Sequence, residues 1–318
     1  MAKKTISVCI PVLNEAKNLE HAVARVETLF ATTLSDYALE IIITDNASTD
    51  DTWDEIGRLA QSRSHLKGFR FSRNFGYQNS VFSALSLSTG DAAVELDADL
   101  EDPPEVIREF VAEWEAGHDV VYGVRTKRYA PFLLKTLIGG FYWLLNRVSD
   151  IEIPQNAGDF RLLDRKVVEV LKSLPESGLY VRGLVGYLGF RQKGVEYERQ
   201  PRADGLSKFS YLRYVGLALD AVTAFSKTPL RLITLLGFVI FVVAMLIALR
   251  QLWVYLFHGI QVQGFMTLAL LLLVLHGLTF MVLGVLGEYL GRVFDHSKQR
   301  PRAIIAEAVN VADYPRVI

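Results

Sequence analysis

Two aspartates separated by one residue, Asp97 and Asp99, follow a short apolar stretch of the chain. In an extended chain alternate side chains point to the same side, so both carboxylates can face one point. Hard oxygen ligands of this kind suit Mg²⁺ or Mn²⁺, and protein carboxylates commonly share these ions with substrate phosphates. Because Asp-x-Asp is a common pattern, the alternative interpretation is a solvated acidic loop that caps the next helix.

The segment around these aspartates alternates between strand and helix. Apolar, β-branched runs predict strands at residues 5–12, 39–44, 66–71, 92–96 and 118–122, and a further strand at 192–199. Stretches with a helical repeat of apolar residues separate them. The alternation is typical of an α/β fold, with a mostly parallel sheet and helices on both faces.

Polar side chains recur where successive strands end. In chain order they are Asn14 and Glu15, Asp45, Arg73 and Asn74, Asp97 and Asp99, and Arg125. Because ligands of open α/β sheets bind at the carboxyl ends of the strands, these side chains should gather along one edge. The sequence contains neither G-x-G-x-x-G nor G-x-x-x-x-G-K-[ST]. These absences argue against dinucleotide-dependent hydride transfer and P-loop phosphoryl transfer.

Four ordered motifs carry a resemblance to a known family. They are Pro-Val-Leu-Asn-Glu at 11–15, Asp-Asn-Ala-Ser-Thr-Asp at 45–50, Ser-Arg-Asn-Phe-Gly at 72–76, and Asp-Ala-Asp-Leu-Glu-Asp-Pro-Pro at 97–104. Together they resemble the motifs of inverting family 2 glycosyltransferases, whose fold is the Rossmann-like GT-A fold. Within that family the chain is similar to the polyprenyl-phosphate glycosyltransferases, a group that includes dolichol-phosphate mannose synthase and bactoprenol glucosyltransferase.

The resemblance implies a binding site for a nucleotide sugar. The donor-binding residues would be Pro11, Glu15, Asp45, Asp97, Ala98, Asp99 and Arg202. Asp99 would bind the metal that bridges the diphosphate, and Asp97 would contact the ribose or the metal-bound waters. Glu101 stands where the family often has glutamine, so it either adds a third metal ligand or faces solvent. Two departures from the family are Asn46, in place of a second carboxylate, and Leu13, in place of a tyrosine.

A second set of residues would serve the acceptor and the chemistry. Arg125 and Arg128 form a cationic loop suited to a phosphate-bearing substrate, and Lys208 would join them. The segment 201–208 resembles the family's loop that closes over the donor, with Arg202 on the diphosphate. Such a closing loop would exclude water from the reaction. Ordinary solvated loops are the alternative interpretation of both segments.

Asp159 occupies the position usually considered for the catalytic base in this family, beside Asp99 and Arg202 as the other catalytic residues. The acceptor would be a phosphate monoester, which is largely ionised near neutral pH. Because such a nucleophile needs little general-base help, two roles stay open for Asp159. It either accepts a proton or orients the acceptor or the sugar, and a structural cap is the third interpretation.

The C-terminal half predicts a membrane anchor. Apolar runs at 232–249 and 265–287 each meet the length of about 20 residues that a spanning helix needs. Basic residues flank the pair on its outer sides, so the positive-inside rule places both termini in the cytoplasm. The predicted location is therefore the inner (plasma) membrane. Segments 131–148 and 209–230 suit amphipathic helices in the membrane interface, and a buried core helix is the alternative interpretation of 131–148.

The predicted organisation is a catalytic domain at 1–208, a juxtamembrane helix at 209–230, two transmembrane helices at 231–290 and a cytoplasmic tail at 291–318. The predicted enzyme moves a hexose, glucose from UDP-glucose, to undecaprenyl phosphate or a related polyprenyl phosphate. GDP-mannose, UDP-GlcNAc and UDP-aminoarabinose stay open as donors. A net charge of −1 gives no reason to expect a nucleic-acid partner. A homo-oligomer stays open, because glycines in the second apolar run, or the tail at 303–311, could contact another subunit.

Two other functions are alternatives to this one. A processive polysaccharide synthase of the same fold usually carries Q-x-x-R-W, which this sequence lacks. A catalytically silent, membrane-anchored protein that binds nucleotide sugars would not need Asp97 and Asp99, and both are present.

Overall fold

A computed structural model of the chain describes residues 3–126, 157–174, 180–200, 264–298 and 300–318, with scattered positions between 239 and 257. The chain divides into two compact units, which are considered separately. The first comprises Met1–Asn146, Ile151–Phe209 and Arg300–Ile318, and the second comprises Arg147–Asp150 and Ser210–Gln299. All the site residues discussed below belong to the first unit.

The first unit is built on a sheet of eight strands. They are β1 (Thr5–Val12), β2 (Ala38–Asp45), β3 (Leu66–Phe71), β4 (Ala92–Glu95), β5 (Val120–Arg125), β6 (Ala157–Asp164), β7 (Gln192–Tyr197) and β8 (Ile305–Val309). Their order across the sheet is β7-β5-β6-β4-β1-β2-β3-β8. β1 pairs in parallel with β2 and β4, β2 with β3, and β5 with β7. β6 is antiparallel to β4 and β5, and β8 is antiparallel to β3.

Helices separate most of the strands. They are α1 (Ala16–Thr32), α2 (Thr52–Gln61), α3 (Tyr77–Leu87), α4 (Ile107–Glu115), α5 (Arg165–Ser173) and α6 (Val181–Tyr187), with a 3₁₀ turn at Pro104–Val106. The second unit contains α7 (Phe265–Ser297). Pro104 opens the 3₁₀ turn, where a missing backbone N–H costs little.

The core explains why β1 lies near the centre of the sheet. From Ile6 onward β1 is buried on both faces, as expected of a parallel strand covered by helices on both sides. Its alternate residues Ile6, Val8 and Ile10 share a hydrophobic cluster with the buried side chains of α1. Those α1 side chains recur every three or four residues, so one stripe of the helix packs on the sheet. The predicted mostly parallel α/β fold is confirmed.

Two strands were missing from the sequence prediction. β6 lies within a stretch noted only for Asp159, and it inserts between β4 and β5. β8 lies in the tail that we considered for contact with another subunit, but it pairs with β3 of its own chain. It therefore covers an edge strand that would otherwise expose unpaired backbone groups.

No helix among the residues that the structure describes is both long enough and apolar enough to cross a membrane. The predicted helices at 131–148 and 209–230 lie outside the described residues, as does most of the apolar run at 232–249. The transmembrane hairpin and the interface helices therefore stay predictions.

Candidate active site

The carboxylates after β4 are held from the start of α3. Tyr77, the first residue of α3, donates its hydroxyl to Oδ1 of Asp97 at 2.7 Å. Oε1 of Glu95 lies 3.4 Å from the same hydroxyl. Gly76 precedes the helix with φ of 92°, a conformation that few other residues adopt easily, and so lets the chain turn into α3. The Ser-Arg-Asn-Phe-Gly motif therefore places the residue that follows it, Tyr77, at the predicted metal site.

Asp97 lies in a strongly negative environment. Burial first, and then the charges of Asp99 and Asp159, raise its pKa to about 7, although the hydrogen bond from Tyr77 acts in the opposite direction. Carboxylates that are crowded in this way favour a bound divalent cation, which would offset their repulsion. The side chains present therefore fit Mg²⁺ or Mn²⁺ electrostatically.

The described residues alone do not provide a full ligand set for this ion. Among the described residues, no group of three or more His, Cys, Asp or Glu side chains is placed to hold a metal. Glu101 forms an ion pair with Arg199, and its backbone N–H donates to Oδ1 of Asp99 at 3.1 Å. Mg²⁺ commonly takes one or two carboxylates together with substrate phosphates. Asp97 and Asp99 fit that pattern, and the roles of all three acids as ligands stay predictions.

A second buried carboxylate lies at the end of β2. Asp45 is 0% exposed, and its Oδ1 accepts the backbone N–H of Ser48 at 2.9 Å. Its Oδ2 has no hydrogen-bond partner among the described residues, although Nε of Arg70 lies 3.5 Å away. A buried acceptor without a donor is uncommon in proteins. Oδ2 of Asp45 is therefore an acceptor that the described residues leave unsatisfied, and the role of Asp45 in donor binding stays a prediction.

The loops around Asp45 are tied to one another. Asn14 donates its backbone N–H to Oγ of Ser48 at 2.9 Å, and its Oδ1 accepts from the N–H of Thr49 at 2.8 Å. Glu15 donates its N–H to Oγ1 of Thr52 at 3.0 Å. Pro11, which pairs with Thr44 in the β1–β2 register, is buried behind this loop. The structure thus brings Pro11, Glu15 and Asp45 to the same edge of the sheet.

Asn46, the departure from the family's second carboxylate, connects two of these loops. Its Nδ2 donates to Oδ1 of Asn74 at 3.0 Å, and its Oδ1 accepts the N–H of Phe75 at 2.8 Å. Oδ1 of Asn74 also accepts the N–H of Gly76 at 2.8 Å. An amide can both donate and accept, so Asn46 fixes the loop that leads to α3.

Asp159 lies on β6 between two arginines. Its Oδ1 accepts from Nη2 of Arg182 at 2.8 Å, and Nη2 of Arg161 lies 3.4 Å from the same oxygen. Burial raises the pKa of Asp159, but Arg182 and Arg161 outweigh that effect and hold the pKa below its ordinary value. Asp159 is therefore ionised near neutral pH and is a weak base.

Arg125 ends β5 in a cluster of its own. Its Nη2 lies 3.1 Å from Oδ2 of Asp102, and its Nε donates to the hydroxyl of Tyr197 at 3.2 Å. Asp102 is buried and also accepts from that hydroxyl. The structure therefore holds Arg125 at the same edge as the other site residues, and its acceptor role stays a prediction. The other predicted cations, Arg128, Arg202 and Lys208, lie outside the described residues.

The sequence model of the glycosyl transferase family 2 matches residues 7–172. An uncharacterized glycosyltransferase of Synechocystis is 37% identical over 303 residues, covering 95% of each chain. The chain belongs to glycosyltransferase family 2. The bactoprenol glucosyl transferase of Shigella phage SfV is a similar family member, 37% identical over 301 residues, with coverage of 94% of this chain and 97% of the relative.

A solved structure of glucosyl-3-phosphoglycerate synthase from Mycobacterium tuberculosis, in complex with Mn²⁺, UDP-glucose and phosphoglyceric acid, gives a TM-score of 0.47 at 18% identity. It covers 69% of this chain and 78% of the synthase.

Several residues of this family 2 site were not foreseen from the sequence. They are Tyr77, Glu95, Asp102, Arg161 and Arg182. Tyr77 directly follows the Ser-Arg-Asn-Phe-Gly motif at 72–76, and this position in the sequence is a signal that it belongs to the site. Glu95 and Arg161 are charged residues flanked by apolar residues, and buried charges are rare unless they are paired. That rarity was the second signal available.

Proposed function

We propose that the chain is a membrane-anchored, metal-dependent, inverting hexosyltransferase that moves glucose from UDP-glucose to undecaprenyl phosphate or a related polyprenyl phosphate. One observation carries the proposal: a continuous series of contacts joins Asp97, through Tyr77, Glu95 and Arg161, to Asp159. These contacts support a single site that contains both a predicted metal-binding acid and a predicted catalytic acid. Support for the lipid acceptor comes from the relative that is named a bactoprenol glucosyl transferase.

The donor would bind along the edge that Asp45 and Asp97 define. Oδ2 of Asp45 would accept an N–H from the base, and Pro11 and Glu15 would border the base and ribose. Asp97 and Ala98 would lie beside the ribose and diphosphate, with Asp99 directed to the metal. When bound, Mg²⁺ or Mn²⁺ would neutralise charge that develops on the leaving diphosphate. Arg202, outside the described residues, would contribute to the same task.

The acceptor phosphate would react directly with the sugar. Its oxygen attacks the anomeric carbon from the face opposite the diphosphate. A new carbon–oxygen bond forms as the bond to the diphosphate breaks, so the configuration inverts and UDP leaves. The nucleophile is largely ionised near neutral pH, so it needs little help in losing a proton. Arg125, Arg128 and Lys208 would hold the acceptor phosphate.

The proposal places the reaction at the inner (plasma) membrane. The two apolar runs would anchor a cytoplasmic catalytic domain, and the interface helices would bring the site to the level of lipid headgroups. This arrangement suits an acceptor that stays in the bilayer throughout the reaction.

A panel of labelled nucleotide sugars tests the proposal. Detergent-solubilised protein is mixed with undecaprenyl phosphate, Mg²⁺ or Mn²⁺ and each of UDP-glucose, GDP-mannose, UDP-GlcNAc and UDP-aminoarabinose. Label from UDP-glucose in the organic phase is the expected result, and label from another donor would correct the sugar. Water-soluble polymer would favour a synthase. Folded protein that binds UDP but labels no lipid with any donor would favour the silent binding protein.

A further inference from the structure

Side chains of alternating charge run from β4 to α6. Oε2 of Glu95 lies 3.6 Å from Nε of Arg161, and Nη2 of Arg161 lies 3.4 Å from Oδ1 of Asp159. That oxygen also accepts from Nη2 and Nε of Arg182, at 2.8 and 3.2 Å. Glu95 and Arg161 are only 2% and 3% exposed, whereas Asp159 and Arg182 are partly exposed. The series therefore connects the core of the sheet to the surface of the site.

The start of α6 is fixed next to the predicted metal site. The backbone N–H of Val181 donates to Oε1 of Gln78 at 2.9 Å. Gln78 follows Tyr77, whose hydroxyl holds Asp97. Arg182 is the next residue of α6, so its backbone is anchored from α3 and its guanidinium is anchored from β6. Two independent contacts thus set the position of one cation.

We propose that Arg182 binds a phosphate group of a substrate, and that Asp159 is a positioning residue that orients Arg182 instead of accepting a proton. The inference rests on the proposed function, since it assigns these two residues to the same site. It gives Asp159 a role that differs from the three that the sequence left open. The phosphate belongs either to the nucleotide diphosphate or to the lipid acceptor.

The geometry at Oδ1 of Asp159 supports this assignment. This one carboxylate oxygen accepts hydrogen bonds from both Nε and Nη2 of Arg182, and Nη2 of Arg161 lies near it as well. A proton on Asp159 would remove the charge that holds both guanidiniums. A guanidinium presents its N–H donors in a fixed fork, and the two bonds to Asp159 set the direction of that fork. A pre-oriented fork suits phosphate oxygens, because less side-chain freedom is lost on binding.

A double-mutant cycle separates positioning from proton transfer. The variants are Asp159→Asn, Arg182→Gln and the two combined. If Asp159 acts through Arg182, the double variant is about as slow as Arg182→Gln alone, because the two changes remove one function. If Asp159 is an independent base, the two losses multiply in the double variant, and the positioning role is wrong.

Direct binding measurements test the phosphate contact. Calorimetry gives Kd for UDP with Mn²⁺ and for a short polyprenyl phosphate in detergent. We expect Arg182→Gln to weaken one of the two by roughly tenfold or more, which is about the effect of losing a charged hydrogen-bond pair. The ligand that is weakened identifies the source of the phosphate. Unchanged Kd values for both ligands would overturn the inference.

Two further variants serve as controls for the binding measurements. Arg58→Gln removes the same charge from α2, where Arg58 pairs with Glu55 and Glu20, and should leave both Kd values unchanged. Arg182→Lys keeps the charge without the fork and should bind more weakly than wild type but more tightly than Arg182→Gln. Equal binding by all three Arg182 forms would contradict the contact. In a further outcome, the wild type transfers no sugar while Arg182→Gln still lowers the affinity for phosphate. That result would contradict the proposed function and support the phosphate contact.

Discussion

The hydroxyl of Tyr77 donates to Oδ1 of Asp97 at 2.7 Å, which links the first residue of α3 to the acid after β4. We predict that Tyr77→Phe weakens the binding of UDP with Mn²⁺ by roughly tenfold to a hundredfold, because hydrogen bonds to charged groups contribute about 1.5–3 kcal/mol. Tyr37→Phe is the matched control, since the Tyr37 hydroxyl donates to Glu115 on α4. Equal affinity of Tyr77→Phe and wild type, by calorimetry, would show that the bond does not serve the site.

The raised pKa of Asp97 predicts a pH dependence of metal binding. Burial is the main cause of the shift from 3.8 to about 7 in the metal-free protein. A cation binds the ionised carboxylate, so affinity for Mn²⁺ with UDP should rise up to about pH 7 and then level off. Binding below that pH should release a proton, which calorimetry in buffers of different ionisation enthalpy detects. The same affinity at about pH 6 and pH 8 would contradict the assignment.

The raised pKa of Asp97 also makes the stability of the folded protein depend on pH, and in the opposite direction to metal binding. Asp97 is more easily protonated in the folded state than in the unfolded chain, where its pKa is ordinary. Its contribution to stability is therefore fully present below the ordinary pKa of 3.8 and is lost as the pH rises through about 7. Asp97→Asn should remove that dependence. The unfolding free energy of the wild type, relative to that of the variant, should therefore fall as the pH rises from 3.8 through about 7.

Arg70 should stabilise the buried carboxylate of Asp45. Its Nε lies 3.5 Å from Oδ2 of Asp45, and its Nη1 lies 3.4 Å from Glu307 on β8. We predict that Arg70→Met lowers the unfolding free energy by about 1–3 kcal/mol, because a buried carboxylate loses its neighbouring cation. Urea titration measures the loss. Adding Asp45→Asn to that variant removes the buried charge and should recover part of it, whereas further loss in the double variant would contradict the pairing.

Asn310 should fix the C-terminal strand to the first unit. Its Nδ2 lies 2.7 Å from the carbonyl oxygen of Ala60 and 2.9 Å from that of Leu66. Its φ of 59° is in the left-handed region. Asn310→Gly removes the side-chain bonds and keeps the backbone conformation, whereas Asn310→Ala loses both. The alanine variant should therefore be less stable than the glycine variant by roughly 1 kcal/mol. Equal stability of the two in urea would indicate that the conformation at 310 is not strained.

The parallel part of the sheet was predictable because its signals are local. β1 to β4 are short and rich in apolar residues, and the polar side chains at their ends fall at the carboxyl edge as the parallel arrangement requires. Asp45, Asp97 and Asp99 were therefore placed correctly at the edge from strand ends alone. The chemical role of each acid is what the proposed experiments test.

β6 could not be foreseen in the same way. Its sequence contains Asp159 and Arg161, whose charges make it a poor local match to a buried strand. Those charges are satisfied by residues that are distant in sequence. Glu95 reaches Arg161 when β6 pairs with β4, and Arg182 reaches Asp159 from α6. The order of strands in a sheet need not follow the order along the chain, so this compensation is invisible in the local pattern.

The transfer assay with an Asp99 variant tests the central claim most directly. Wild type, Asp99→Asn and Asp54→Asn are incubated with labelled UDP-glucose, undecaprenyl phosphate and Mn²⁺, with and without a chelator. Asp54 is an exposed acid on α2, so its variant controls for the change in charge. We predict lipid-linked label from wild type and Asp54→Asn that the chelator abolishes, and a loss of roughly 100-fold or more in Asp99→Asn. Undiminished transfer by Asp99→Asn, or transfer in the presence of the chelator, would contradict the account.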